Sequence, residues 1–268
     1  MEYSSLVEIV SAAHLTKYVQ SPFPQRSGLF LVAPPGAFKT TIAETMDEYP
    51  STQVISNLNT QSVNMMKEHM LAGTISTLAF SDYGALYRRH GSVASGVEGV
   101  IMALADEGYR RPQWQAQNSP TMPAYCTIVG GMTSAFFDEK IPEWQKNGFA
   151  RRFVFARYQL NGIETLEDAA AEWRRAELDG SFVPRIPSSR TIQYKLDPKE
   201  VEYIRHMCRH IQDGKVNNFV MMQKIACVLK WKFGKENKHM QILKDFAPCL
   251  TKNGGTLQIR EKKKEAMV

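Results

Sequence analysis

The chain has 268 residues, 43% hydrophobic and 22% charged, which excludes a mainly disordered protein and suits one large domain or two modest ones. No window approaches the ~20 unbroken apolar residues that a membrane-spanning helix needs. The net charge of +6 is unevenly spread: residues 195–268 hold 16 Lys and Arg against 8 Asp and Glu, whereas residues 1–194 hold 17 against 19.

Residues 4–20 repeat apolar side chains at helical spacing, with Leu6, Ile9, Val10, Ala13 and Leu15 on one broad face. Acids near this start, where a secretory leader needs bases, predict a cytoplasmic chain. Two prolines and a glycine in residues 21–28 then break the helix. Leu29–Ala33 is an all-apolar run of the kind that forms a strand buried on both faces. It leads into Pro34-Pro35-Gly36-Ala37-Phe38-Lys39-Thr40-Thr41 and a helical stretch.

Further strands are predicted at 53–56, 74–81, 126–133 and 152–158, with helices at 60–72 and 93–107. Segment 108–124, GYRRPQWQAQNSPTMPA, reads as a hairpin or extended loop. The alternation predicts an α/β domain with a mainly parallel sheet. A helix at 164–178 and a Pro/Ser-bearing linker follow, then helices at 197–213, 217–234 and 239–251 and a charged tail. The organisation expected is an N-terminal helix and linker (1–27), a core (28–160), a helix and linker (161–190), a basic helical region (191–258) and a tail (259–268).

Cys126, Cys208, Cys227 and Cys249 have no CxxC spacing and read as reduced, buried thiols. His206, Cys208 and His210 do not make a metal site, because position 208 faces away from the 206/210 pair on a helix.

A strand, the loop 33–40 and a helix are the context of a phosphate-binding loop, G-x-x-x-x-G-K-[ST]. Backbone N–H groups of Pro-flanked Gly36, Ala37 and Phe38 and of the first helical turn, through Thr41, would face an anion, with Pro35 shaping the turn. Lys39 would reach the β and γ phosphates of ATP and the Thr40 hydroxyl would ligate Mg²⁺. Ala33 and Phe38 stand where the motif has glycines. Phe38 is expected to turn its ring away from the nucleotide and keep ordinary right-handed backbone angles. The alternative is a Pro-rich turn before a helix with a solvated Lys39.

Asp82 ends the apolar run TLAFS, where an acid would hold Mg²⁺, or else cap the following turn. The next residue is Tyr83 where a water-polarising glutamate is usual, so Glu98, Asp106 and Glu107 are candidate substitutes. Thr133 ends the run CTIVGGMT as a polar residue. Arg152, with Arg151 as its rival, opens the strand RFVFARY, where an arginine can act on a neighbour's nucleotide.

LFLVAPPGAFKTT, STLAFSDYGAL, DEGYRRPQW running on to CTIVGGMT, and NGFARRFVF together resemble the AAA+-like P-loop ATPases of phages and mobile elements, particularly helicase-like ATPase domains linked to primases. The resemblance spans roughly residues 25–160. It implies a P-loop NTPase core, followed here by a small helical C-terminal region. Carried over, Lys39 and Thr40 match the phosphate-loop pair, Asp82 the metal-binding acid, Thr133 the polar sensor and Arg152 the finger arginine. It further implies active sites shared between subunits of a homo-oligomer, a hexamer in its ring form, and work on DNA or a DNA-bound complex. The absence of another recognisable catalytic motif suggests an additional protein partner.

The basic C-terminal region independently points to nucleic acid, with a solvated lysine-rich surface as the alternative. Tyr109, Arg110, Arg111 and Trp114 interleave rings and bases, as a single-strand contact does. The expected function is therefore an ATP-hydrolysing motor or remodeller; the alternative is a nucleotide-binding switch or scaffold with little hydrolysis.

Overall fold

The computed structural model describes residues 1–26, 28–56, 60–88, 91–110, 123–159, 186–209, 215–234 and 238–250, with 167, 168, 171 and 211. The first helix, α1 (Tyr3–Leu15), ends earlier than its spacing predicts. Thr16–Tyr18 tighten into a 3-10 turn and Val19–Gln20 form β1. The reason is tertiary: Val19 and Gln20 pair in parallel with Ile192 and Gln193, far away in the chain.

The apolar runs become β2 (Gly28–Ala33), β3 (Thr52–Ile55), β4 (Thr77–Phe80), β5 (Thr127–Thr133) and β6 (Val154–Arg157). They form one sheet in the order β3-β4-β5-β2-β6, every neighbouring pair parallel. The crossovers carry α2 (Lys39–Glu44), α3 (Thr60–Leu71), α4 (Gly91–Met102) and α5 (Ser134–Asn147). The predicted helix over 93–107 changes to a π turn at Ala103–Glu107.

Alternating residues of the strands serve two cores. Leu29, Leu31, Val129 and Ala156 join a cluster with α1 and with Ile42 of α2. Phe30, Val32, Ile128 and Phe155 face the other way, onto Val97 and Ile101 of α4 and Phe137 and Trp144 of α5. The chain leaves β2 over the first face to the far edge strand β3. It then works back along the second face and passes over β2 to β6. The winding therefore reverses at β2, and the crevice beyond the carboxyl ends of such strands is where doubly wound sheets bind ligands.

β7 (Ile192–Gln193) leads to α6 (Pro198–Cys208), α7 (Lys215–Phe233) and α8 (Lys238–Phe246). Asp197 and Glu200 form a capping box at the start of α6. These helices do not stand apart from the sheet: Ile204, Met222 and Phe246 share one apolar cluster with α1 and β2. Several of their cations point inward. Lys232 pairs with Glu8 of α1, their side chains 4% and 7% exposed, and Lys230 bridges Asp197 and Glu200 at 2.9 and 2.8 Å. All four cysteines are free and buried. Cys208 faces the core while His206 is exposed, and His210 lies outside the described residues. No described helix is long and apolar enough to cross a membrane. The predicted helix at 164–178 and the tail 259–268 lie largely or wholly outside the described residues.

Candidate functional site

Pro34–Phe38 carry the chain from the end of β2 into α2, at the point where the winding reverses. Two residues make this turn with left-handed backbones: Gly36 at φ 81° and Phe38 at φ 57°, ψ 18°. The expectation of ordinary angles for Phe38 is therefore wrong. A β-carbon in this region costs about 1–2 kcal/mol, so surrounding contacts must hold it there. Phe38 packs its ring edge-on to Tyr3 of α1, with centroids 6.5 Å apart and planes at 86°. From the other side, the Tyr158 hydroxyl donates to the Ala37 carbonyl, and the Tyr158 N–H donates to the Val32 carbonyl at 3.1 Å. The loop is thus pinned by α1 and by the end of β6.

Lys39, the first residue of α2, is 9% exposed and donates from Nζ to the carbonyls of Ala33, at 3.1 Å, and Pro34. Burial lowers its pKa from the ordinary lysine value, and the nearby Asp82 carboxylate opposes that shift. Thr40 Oγ1 donates to the Ser81 carbonyl at 3.5 Å, next to Asp82 in the chain. Lys39 and Thr40 therefore lie beside Ser81 and Asp82, just past the end of β4. Gly131 of β5 makes this possible: a Cβ there would meet Lys39 Cβ at 2.9 Å and the Ser81 carbonyl at 3.1 Å. Gly131 gave no signal in the sequence beyond its place in an apolar run.

Thr133 lies beside Ala33 in the sheet, at the same edge as the loop. Its Oγ1 accepts the Phe136 N–H at 3.3 Å and caps α5. Tyr83 is fully buried among Phe30, Phe80, Trp144 and Phe149. Burial, and secondarily Glu98, push its pKa well above the ordinary phenol value.

The candidate bases are engaged with other partners. Glu98 is 5% exposed and accepts the Trp144 indole N–H at 2.6 Å; burial raises its pKa, partly offset by that bond. Asp106 and Glu107 pair with Arg152 at 3.2 and 2.6 Å. Arg152 also donates to the Gly148 carbonyl at 3.0 Å and is 9% exposed in its side chain. It precedes β6, at the amino edge of a parallel sheet, so it lies on the opposite edge from the loop. Within one chain Arg152, Asp106 and Glu107 therefore lie away from Lys39. Arg151, in the same turn, is exposed.

Two further charged groups lie on the loop's edge and were missed. Arg157 ends β6 opposite Val32, pairs with Asp138 of α5 and lies 5.5 Å over the Phe137 ring. The first charged residue after a buried parallel strand is the signal that would have found it. In the segment expected to contact DNA, Tyr109 and Ala124 form an antiparallel bridge with 2.8 Å hydrogen bonds in both directions, and Arg110 beyond it is exposed. Arg111 and Trp114 lie outside the described residues.

Fold and site define an α/β protein with a five-stranded parallel sheet and a strained, pinned loop beyond the strand at which its winding reverses. No family model matches the chain, and no curated protein matches it.

Proposed function

We propose that the chain is an AAA+-like P-loop ATPase that binds ATP with Mg²⁺ and acts as a motor or remodeller on DNA or a DNA-bound complex. The observation that carries this reading is the left-handed backbone at Phe38, between the Gly36 turn and Lys39. A costly conformation kept where the motif has glycine favours a loop whose amides must turn toward a ligand. Pro35 to Thr41 would wrap the phosphates. Lys39 would exchange its bonds to Ala33 and Pro34 for phosphate oxygens, gaining a charged partner for a buried ammonium.

The Thr40 hydroxyl and Asp82 carboxylate offer hard oxygens on adjoining backbone, a donor set that suits Mg²⁺. When bound, that ion would neutralise charge on the β and γ phosphates. Thr133 uses an oxygen lone pair for its cap, so its proton can still be given to a phosphate oxygen. Arg152, or the exposed Arg151, would serve only a neighbouring subunit's nucleotide, which implies a homo-oligomer.

A nucleotide-binding switch with little turnover is the second reading. It is favoured by the burial of Tyr83 and by the engagement of Glu98 with Trp144 and of Asp106 and Glu107 with Arg152. Steady-state phosphate release, with and without single- and double-stranded DNA, separates the two. Release stimulated by DNA and lost in Lys39→Ala supports the motor. ATP-driven assembly without release supports the switch, and absence of ATP binding rejects both.

A further inference from the structure

At the amino edge of the sheet, opposite the loop, lies a cavity of about 170 Å³. Holding one water takes only about 10–15 Å³, so this space admits a polyatomic ligand. Its walls come from the linker before β2, the turn after α4, the turn before β6 and the first half of α7. β2 is six residues long, so at ~3.3 Å per residue the cavity stands about 20 Å from the phosphate-loop candidate.

Three cations line the cavity, Arg26, Arg152 and Lys224, against the single carboxylate of Asp106. Arg152 is already answered by Asp106 and Glu107. Arg26 and Lys224 are answered only by dipoles: Arg26 Nη1 donates to the Lys17 carbonyl at 3.0 Å, and Lys224 Nζ donates to the carbonyls of Phe23 and Gln25 at 2.6 and 2.5 Å. Neither forms an ion pair with a carboxylate among the described residues. Arg26 Nε and Arg152 Nε are buried without a hydrogen bond, the latter lying near Asp106 but outside hydrogen-bond geometry. Burial lowers the Lys224 pKa to about 8, with the Arg26 charge adding to the shift. Buried cations without a counter-charge are expensive, and a bound anion would relieve them.

The two cations without a counter-charge, Arg26 and Lys224, favour a doubly charged tetrahedral oxyanion over a single carboxylate, and the planar Arg26 guanidinium suits its oxygens. At the same cavity Phe23 is 43% exposed and Val216 73% exposed, offering apolar surface to whatever carries the anion. We propose that this cavity is a second anion site, built for the phosphate group of a nucleotide or of a nucleic-acid strand. It uses none of Lys39, Thr40 or Asp82, and so stands or falls separately from nucleotide binding at the loop.

The test uses the full chain carrying Lys39→Ala, which removes the loop's ammonium from phosphate binding, and the cavity variants then report on what remains. Inorganic phosphate is titrated calorimetrically, and a short fluorescent oligothymidylate by anisotropy, in three backgrounds: otherwise unchanged, with Lys224→Met, and with Val216→Glu. Saturable phosphate binding that weakens roughly tenfold in both variants is expected, the scale of one lost charge-assisted contact. A parallel loss of oligothymidylate binding identifies the source as a strand; loss for inorganic phosphate alone identifies a free phosphate or nucleotide. Val216 is exposed, so Val216→Glu adds a repelling charge with little risk to the fold. Unchanged affinity for both probes in Val216→Glu, or no binding of either probe in the Lys39→Ala parent, would overturn the assignment.

Discussion

Phe38 holds a left-handed backbone that glycine would adopt freely, and the Tyr3 ring is what it gains in return. Phe38→Gly should therefore change stability by no more than about 1 kcal/mol, since relieved strain offsets the lost aromatic contact. Phe38→Val keeps the strain, loses the ring contact and adds β-branching; it should unfold at lower urea concentration by about 1–2 kcal/mol and bind ATP more weakly. Equal urea midpoints for all three proteins would contradict the strained-loop account. Gly131→Ala should weaken ATP binding without altering any charge, because its methyl group would push Lys39 away from Ser81. Lys39 itself must be protonated to hold phosphate, and burial has lowered its pKa from 10.5. ATP affinity should thus fall as pH rises toward that value, and Lys39→Arg should move the fall to higher pH.

Helix α1 illustrates what an element's own sequence can and cannot convey. Its apolar face was legible, but its early end was not, because the partner of Val19 and Gln20 lies near residue 192. The inward lysines of α7 were also hidden: a Lys-rich helix reads as solvated until Glu8 is found packed against it. Removing one member of that buried pair, as in Glu8→Leu, should cost about 3–5 kcal/mol in urea unfolding. Glu8→Leu with Lys232→Met should recover most of the loss, and an additive second penalty would refute the pairing. His14, 0% exposed and 2.8 Å from Thr77 Oγ1, has its pKa lowered to about 2 by burial and, secondarily, by Lys17. The folded chain keeps this ring neutral while the unfolded chain takes up a proton below pH 6.5. Stability should therefore fall as pH drops below that value, by roughly 1.4 kcal/mol per pH unit at most, with a shallower slope in His14→Gln.

For the molecule as a whole, strand order decides which sequence signals meet. That Lys39 and Thr40 would lie near Asp82 was readable because the loop before them and Asp82 each follow the carboxyl end of a strand, and the strands are parallel. The roles of Glu98, Asp106 and Glu107 were not, because only strand direction and helix placement reveal that they serve Trp144 and Arg152 instead. The same directionality puts Arg152 on the edge away from its own loop. If subunits share sites, mixing Lys39→Ala with Arg152→Ala chains should restore ATP-dependent activity that neither has alone. Activity of the mixture no greater than that of its parts would leave Arg152 with only its intrachain ion pairs. Nucleotide binding by the loop between β2 and α2, on which the proposed function rests, is tested by thermal unfolding with rising Mg-ATP. A ligand that binds only the folded chain raises its melting temperature with concentration. A saturating rise is expected for the wild-type chain and its loss in Lys39→Ala; no rise in the wild type, or an equal rise in both, would show that the loop does not hold nucleotide through Lys39.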